Sequence, residues 1–448
     1  MVLSISIIIL YGSVYNGRGA LYLIGMVLIC GGVLSTGVEE SFGVVDNKVI
    51  DTFSGICNDG LSRVSKGLIY TLSGLCLIGN IRIVNKWEYG AIVILSSFGV
   101  GLLVSSKDWM SIYLSLELQS LGMYVLATYK KDSSYSTESG LKYFVVGGFG
   151  SGLLLFGSSM MYGSSGSIRL EEIGELWTMS GAEGLLMKIG LGVAVVGLCF
   201  KLSAGPYHMW IIDVIEGAPM RTARIFSVVP KIGVLGVLIR VLMEIPYSAW
   251  QGWIVWISMI SMIVSICGGL YQRKAKRFMA YSGVGHIGYM LMGVSIGSYI
   301  DVGIENVMMY MGVYMITGWC IWELLERERI VYIEEIGKIG KRNVYLGVGM
   351  SILCFSMAGV PPLVGFYVKW SIFKSVVEGG LWMLSIVGLM CTVVGGYNYL
   401  RWIKSIYYEG IVESKGIENN VEDIGRDMSS VILGVGLGLV SIAWIGHW

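Results

Sequence analysis

"CFKLSAGPYHMW", residues 199–210, sets a lysine, a glycine–proline pair and a histidine inside an otherwise apolar run. The enclosing stretch, 184–216, is apolar enough to enter a membrane but too long for one straight crossing, because about 20 helical residues span the hydrocarbon core. Pro206 removes a helix hydrogen bond. Broken backbone at membrane depth persists only where protein or water satisfies it. The stretch therefore predicts a broken transmembrane helix with a buried cation, Lys201, beside the break.

The rest of the chain fits that setting. Of 448 residues, 54% are hydrophobic and 14% charged, against about 25% charged in soluble domains. The expected fold class is an all-α polytopic membrane protein. A net charge of +1 and no basic stripe with interleaved aromatics exclude a nucleic-acid partner. The eight cysteines, at 30, 57, 76, 199, 267, 320, 354 and 391, show no CxxC or other metal spacing. Inside apolar segments they read as small hydrophobes, so neither disulfides nor metal or iron–sulfur ligation is expected. No cleavable leader and no Arg/Ser-rich presequence is visible, so the first apolar stretch reads as a retained helix. Glycine (64), methionine (25) and tryptophan (14) are abundant while proline (6) and histidine (3) are scarce. That bias towards G- and T-rich codons suggests a strand-biased organellar genome.

Apolar windows predict fourteen spans near 2–15, 18–35, 68–84, 90–106, 109–129, 140–162, 184–216, 222–243, 250–270, 278–297, 302–323, 344–375, 379–401 and 428–446. Residues 36–66 and 163–180 read as polar connectors with room for interfacial helices, and 404–427 as a charged loop. Basic residues collect in the loops after spans 5, 9, 11 and 13, including "QRKAKR" (272–277) and "RERIVYIEEIGKIGKR" (327–342). The positive-inside rule puts those loops in the matrix or cytoplasm and both termini outside.

Spans 7 and 12 are interrupted alike, by "SAGPYH" (203–208) and "SMAGVPPLVGF" (356–366), which hold three of the six prolines. Matched Gly/Pro-interrupted segments point to an inverted-repeat transporter. The expected division is 1–84 (helices 1–3 and connector), 85–245 (first repeat, helices 4–8), 246–408 (second repeat, helices 9–13) and 409–448 (charged loop and helix 14).

Ionisable residues inside a membrane mark functional sites by default. Four stand well inside the spans: Glu117 in "LSLELQSL", Lys201, Lys231 in "VVPKIGVL" and Lys369 in "GFYVKWSIF". The bland readings are a snorkelling Lys369 and a purely structural Glu117–Lys201 ion pair. An opposite charge about 4 Å away is worth about 4 kcal/mol at an effective dielectric of about 20. Movement of Glu117 relative to Lys201 can thus decide whether the lysine holds its proton, which is what a pump requires. His208 and His286 are candidate relays, and His447, at the terminus, reads as inert. No phosphate loop, Ser/His/Asp set or ligand cluster is present, so no covalent chemistry is expected of this chain.

Several of these segments also carry a family likeness. "LSLELQSLGMYVLATYKKDSSYSTESGLKYFVVGGFGSGLLLFGSSMMYG" (114–163), "FKLSAGPYHMWIIDVIEGAP" (200–219), "VPKIGVL" (229–235), "YQRKAKRFMAYSGVGHIGYM" (271–290) and "MAGVPPLVGFYVKWSIF" (357–373) resemble the subunit 2 type of antiporter-like subunits in respiratory complex I. The resemblance covers roughly 85–408. It implies fourteen helices, two inverted five-helix repeats and one proton pathway. Glu117 and Lys201 match the family's helix-5/helix-7 pair, Lys231 its central helix-8 lysine, Lys369 its helix-12 group, and Lys142 in "GLKYF" a helix-6 lysine. A lysine at 369 favours subunit 2 over the subunit 4 relative. Ile212, Ile215, Arg221, Arg224 and Gly283 depart from the family pattern, the two arginines standing in the loop after helix 7.

The resemblance implies a proton-translocating membrane-arm subunit of NADH:ubiquinone oxidoreductase. Glu117, Lys201, Lys231 and Lys369 would carry the protons, with Lys142 and His208 as further relay candidates. No cofactor is expected on this chain. NADH, FMN, iron–sulfur clusters and ubiquinone would belong to partner subunits, and the partners would be other antiporter-like and small membrane-arm subunits and lipids. The expected location is the mitochondrial inner membrane, with the bacterial plasma membrane as alternative. The rival readings are an Mrp-type cation/proton antiporter subunit and a structural membrane subunit whose ionic residues only hold helices in register.

Overall fold

A computed structural model of the chain describes residues 18–37, 55–80, 87–179, 184–296 and 300–408. The expected spans 2–15 and 428–446, most of the first connector, the charged loop beyond 408 and His447 lie outside the described residues. Within them the protein is helical, with isolated bridges such as Ile56–Ser106 and Lys274–Tyr332 and no strand. Two compact units divide at Ile254/Val255.

The first unit holds α1 (Arg18–Gly37), α2 (Gly60–Asn80), α3 (Trp87–Ser105), α4 (Trp109–Ala127), α5 (Ser134–Ser165), α6 (Leu170–Met179), α7 (Leu185–Leu202), α8 (Met209–Gly217) and α9 (Met220–Glu244). A helix that is apolar on all sides must be buried on all sides. So it is with α9, whose apolar window is wholly buried against α2, α3, α4, α7 and α8. Only a third of the corresponding window of α5 is buried. That helix packs on α7 along small residues: a Cβ at Gly157 would stand 2.5 Å from the Ala194 nitrogen. Small residues allow such close approach in membranes, where packing rather than hydrophobicity drives association. The outer face of α5, with Leu141, Phe144, Val145 and Phe149, is exposed and apolar.

The second unit follows α10 (Gln251–Leu270), which runs across the division. It holds α11 (Ala275–Val294), α12 (Ile300–Arg327), α13 (Gly337–Arg342), α14 (Val344–Ala358), α15 (Val364–Glu378) and α16 (Trp382–Tyr407). Its central element is α15, packed on α11, α12, α14 and α16. Among the described residues, seven helices are long and apolar enough to cross a membrane, α5, α7, α9 and α16 among them, which makes the protein a multi-pass membrane protein.

Both expected breaks are present. After α7 the chain turns through Ser203 in the left-handed region (φ 63°) and the cis Gly205–Pro206 bond before α8 begins. After α14 it turns through Gly359 (φ 84°) and the cis Pro361–Pro362 bond before α15. Elsewhere, α2 begins at Gly60, ahead of the expected 68, because the polar turn "GLSRVSKG" is helical too. The second connector contains the short helix α6.

Candidate functional site

Among the described residues, small pockets with polar side chains in their walls lie beside both breaks, one in the first unit and two in the second. In the first unit, Lys201 and Lys231 line one pocket of about 20 Å³ together with Gln119, Ser120, Tyr143 and Ser203. That is room for a water by volume, and the walls supply the polar partners a water needs. Lys231 stands in the middle of α9 with 6% of its surface exposed. Its neighbour Pro230 has no N–H to give, so the Phe226 carbonyl lacks its intrahelical donor at the wall of the same pocket. Tyr143 closes the space, its ring stacked on Trp210 at 5.1 Å.

Glu117 and Lys201 are not joined in an ion pair. Among the described residues, the buried Lys201 Nζ and Glu117 Oε1 have no hydrogen-bond partner, although the field of Glu117 reaches Lys201. Ser120 Oγ has both Glu117 Oε2, at 3.3 Å, and the Glu117 carbonyl, at 3.1 Å, as acceptors for its one proton, and Ser120 lines the lysine pocket. The carboxylate therefore meets the pocket through a hydroxyl. A buried pair held apart stays electrostatically coupled, more weakly than a closed pair, and is not locked in one geometry.

In the second unit Lys369 is buried, not snorkelling. Its Nζ donates to the Met357 carbonyl at 2.7 Å and the Ala358 carbonyl at 3.0 Å. These are last-turn carbonyls of α14, which lack intrahelical donors and carry the negative end of the helix dipole. The break thus supplies the ligands for the cation. The ammonium also lies 5.4 Å from the Tyr289 ring centroid. His286 shares pockets with Lys369 and stacks on Tyr314 at 4.5 Å.

The other two expected residues lie apart from these pockets. His208 is buried at the start of α8, its Nδ1 3.2 Å from the Pro206 carbonyl, and does not line the lysine pocket. Lys142 is exposed on α5, paired with Glu138 at 2.7 Å and Asp213 at 3.6 Å.

Some polar residues escaped the sequence reading. Arg224 is not in a loop: it lies in α9, fully buried, with Nη2 donating to the Cys76 carbonyl at 3.2 Å. Arg240, further along α9, donates to Asp59 Oδ2 at 2.7 Å, to Cys57 Sγ at 2.8 Å and to the Val104 carbonyl at 3.1 Å. Both stand towards the ends of an expected span, where an arginine reads as a topology signal. Ser120, Tyr310 and Tyr399 gave no signal, because hydroxyls are common in apolar helices.

Broken helices with buried lysines around water-sized pockets define a membrane protein that carries ionisable groups inside its spans. The chain belongs to the NADH:quinone oxidoreductase/Mrp antiporter transmembrane family, whose pattern matches residues 106–395. Within it, the chain is 37% identical over 391 residues to NADH-quinone oxidoreductase subunit N 1 of Rhizobium meliloti, covering 84% of this chain and 79% of that one. It is 35% identical over 378 residues to NADH-ubiquinone oxidoreductase chain 2 of Marchantia polymorpha, covering 82% and 76%. In fold it is similar to a chain of respiratory complex I from Thermus thermophilus (TM-score 0.79, 24% identity, 99% and 96% covered). A chain of the Mrp complex from Dietzia is similar too (TM-score 0.84, 16% identity, 99% and 92% covered).

Proposed function

We propose that this chain is a proton-translocating membrane-arm subunit of an NADH-quinone oxidoreductase, and that protons move through it by way of Glu117, Lys201, Lys231 and Lys369. The observation that carries the reading is the pocket shared by Lys201 and Lys231, with Glu117 coupled to it through Ser120 but not ion-paired. A buried ammonium such as that of Lys201, not closed into a salt bridge, can release and regain a proton beside the pocket; a closed salt bridge cannot do so without first breaking. Lys369, held by the break carbonyls, is the corresponding group of the second unit. Fourteen helices in two inverted five-helix repeats are the finer architecture, supported by the two like-built breaks. His208 and Lys142 take at most a peripheral part, the first against its own turn and the second in an exposed ion-pair cluster.

Electron transfer then belongs to partner subunits, which hold NADH, FMN, the iron–sulfur clusters and ubiquinone. The partners are other membrane-arm subunits. Identity of 34–37% to subunit N and chain 2 proteins favours this reading over an Mrp-type antiporter subunit, for which the likeness is one of fold. The residue-usage bias supports the mitochondrial inner membrane; relatives that are mostly bacterial keep the bacterial plasma membrane as the alternative. Purifying the chain from its native membrane tests the assignment. Co-migration with a large NADH-oxidising assembly is expected, whereas sodium-dependent antiport in an assembly without NADH oxidation would overturn it.

A further inference from the structure

His286 uses both ring nitrogens. Nδ1 lies 2.6 Å from the Tyr310 hydroxyl and Nε2 3.1 Å from the Tyr399 hydroxyl. The three residues come from different helices, α11, α12 and α16, so the arrangement is a product of packing. All three are buried, the imidazole 5% exposed. The two hydroxyls belong to different pockets. Tyr399 lines one of about 40 Å³ with Asn398, Ser282 and Lys369. Tyr310 lines another of about 20 Å³ with Thr317, Ser356 and Lys369. His286 lines both.

We infer that Tyr399, His286 and Tyr310 form a hydrogen-bonded wire that carries protons between the two pockets beside Lys369, with the two phenols as obligatory relay residues. A neutral imidazole has one N–H donor and one acceptor nitrogen, and a phenol hydroxyl both donates and accepts. With the imidazole proton on Nδ1, Tyr399 donates to Nε2 and Nδ1–H donates to Tyr310; the other tautomer reverses both bonds. A proton arriving at the Tyr399 oxygen releases that phenol's own proton to Nε2. The Nδ1 proton passes to the Tyr310 oxygen, and Tyr310 releases its own into the second pocket. One proton enters, one leaves, and only O–H and N–H bonds change. Each passage leaves the imidazole in the other tautomer, so the hydroxyls and ring must reorient before the next. A phenol at each nitrogen suits proton relay because it stays uncharged between transfers, where a carboxylate would hold an ion pair with the ring. A purely structural network would need the same hydrogen bonds but no pocket at either end.

The inference rests on the proton-translocation reading, and the test separates the two. Tyr310→Phe and Tyr399→Phe, each removing one oxygen atom, are introduced singly and together into the intact oxidoreductase. Protons translocated per NADH oxidised are measured in sealed vesicles, alongside the NADH oxidation rate after uncoupling. The expected result is the same loss of proton yield in either single variant as in Lys369→Met, which is this chain's share of the total, no further loss in the double variant because the wire is in series, and near-normal uncoupled electron transfer. Unchanged proton yield in both assembled single variants would overturn the wire. So would loss of assembly in both, which would mark the hydroxyls as packing contacts. Lys369→Met is the control. If it too keeps full proton yield, the proton-translocation role of this unit fails; if it alone loses the yield, only the wire does.

Discussion

Lys369 Nζ sits 2.7 Å from the Met357 carbonyl, so the cation of α15 is held by the frayed end of α14. A helix break and a buried charge that looked like two separate oddities are one device. The break frees carbonyls that would otherwise be unsatisfied in the membrane, and the ammonium satisfies them.

That device depends on Gly359. Its φ of 84° is strained for any residue with a side chain, and an added Cβ would stand 2.9 Å from Lys369 Cδ. Gly359→Ala is expected to cost about 1–2 kcal/mol from the left-handed backbone and to push the lysine off its carbonyls. Thermal inactivation of the purified assembly should shift to lower temperature and the proton yield per NADH should drop. A full proton yield would show that Lys369 does not need this seat.

Asp59, outside the membrane-spanning segments, gives a pH-dependent prediction through its pair with Arg240. Burial works to raise the Asp59 carboxyl, but the Arg240 guanidinium at 2.7 Å and the Cys57 thiol outweigh it and hold the group below the usual aspartate range. A group depressed in the folded state adds stability above its unfolded pKa, about 3.9, and loses it as pH falls through the folded value. The stability gap between wild type and Asp59→Asn should therefore be constant from about pH 5.5 to 8 and shrink only below about pH 4. A gap that grows on acidification would refute the pairing.

The neighbouring thiol is a second readout of the same corner. Burial pushes the Cys57 thiol up to about 11, so it is protonated at neutral pH and a poor nucleophile. Alkylation at Cys57, followed by mass spectrometry, should be slow at pH 7.5. Fast labelling of the wild type would contradict the packing.

Legibility in the sequence tracked how far each feature depends on packing. Lys231 and Lys369 stood out because a lysine inside an apolar run has few innocent explanations, and the breaks because Gly and Pro act on the backbone directly. The separation of Glu117 from Lys201 was hidden, since it is set by how α4 and α7 each pack on α5 and α9 rather than by either segment. Arg224 and Arg240 were masked by their places near span ends, and burial at those ends comes from α2 and the connector before it. Ser120 and the tyrosines around His286 acquire meaning only when three or four helices meet.

The Ser120 link between Glu117 and the lysine pocket is open to a graded test. Glu117→Gln should weaken pumping less than loss of a lysine, because the amide can still accept from Ser120 but carries no charge. Ser120→Ala should lower the proton yield with assembly intact, having removed a single hydroxyl. If Lys201→Met combined with Glu117→Leu keeps full pumping in vesicles, the two residues only hold helices in register and the coupling role is lost.

The most direct measurement is the proton yield of Lys231→Ala in the purified, reconstituted oxidoreductase. Lys231 is the buried ammonium at the middle of the most enclosed helix and shares its pocket with Lys201. The expected result is a complex that assembles and oxidises NADH when uncoupled but moves clearly fewer protons per electron pair. An assembled complex with an unchanged proton yield would contradict the assignment of this chain as a proton-moving subunit through Lys231.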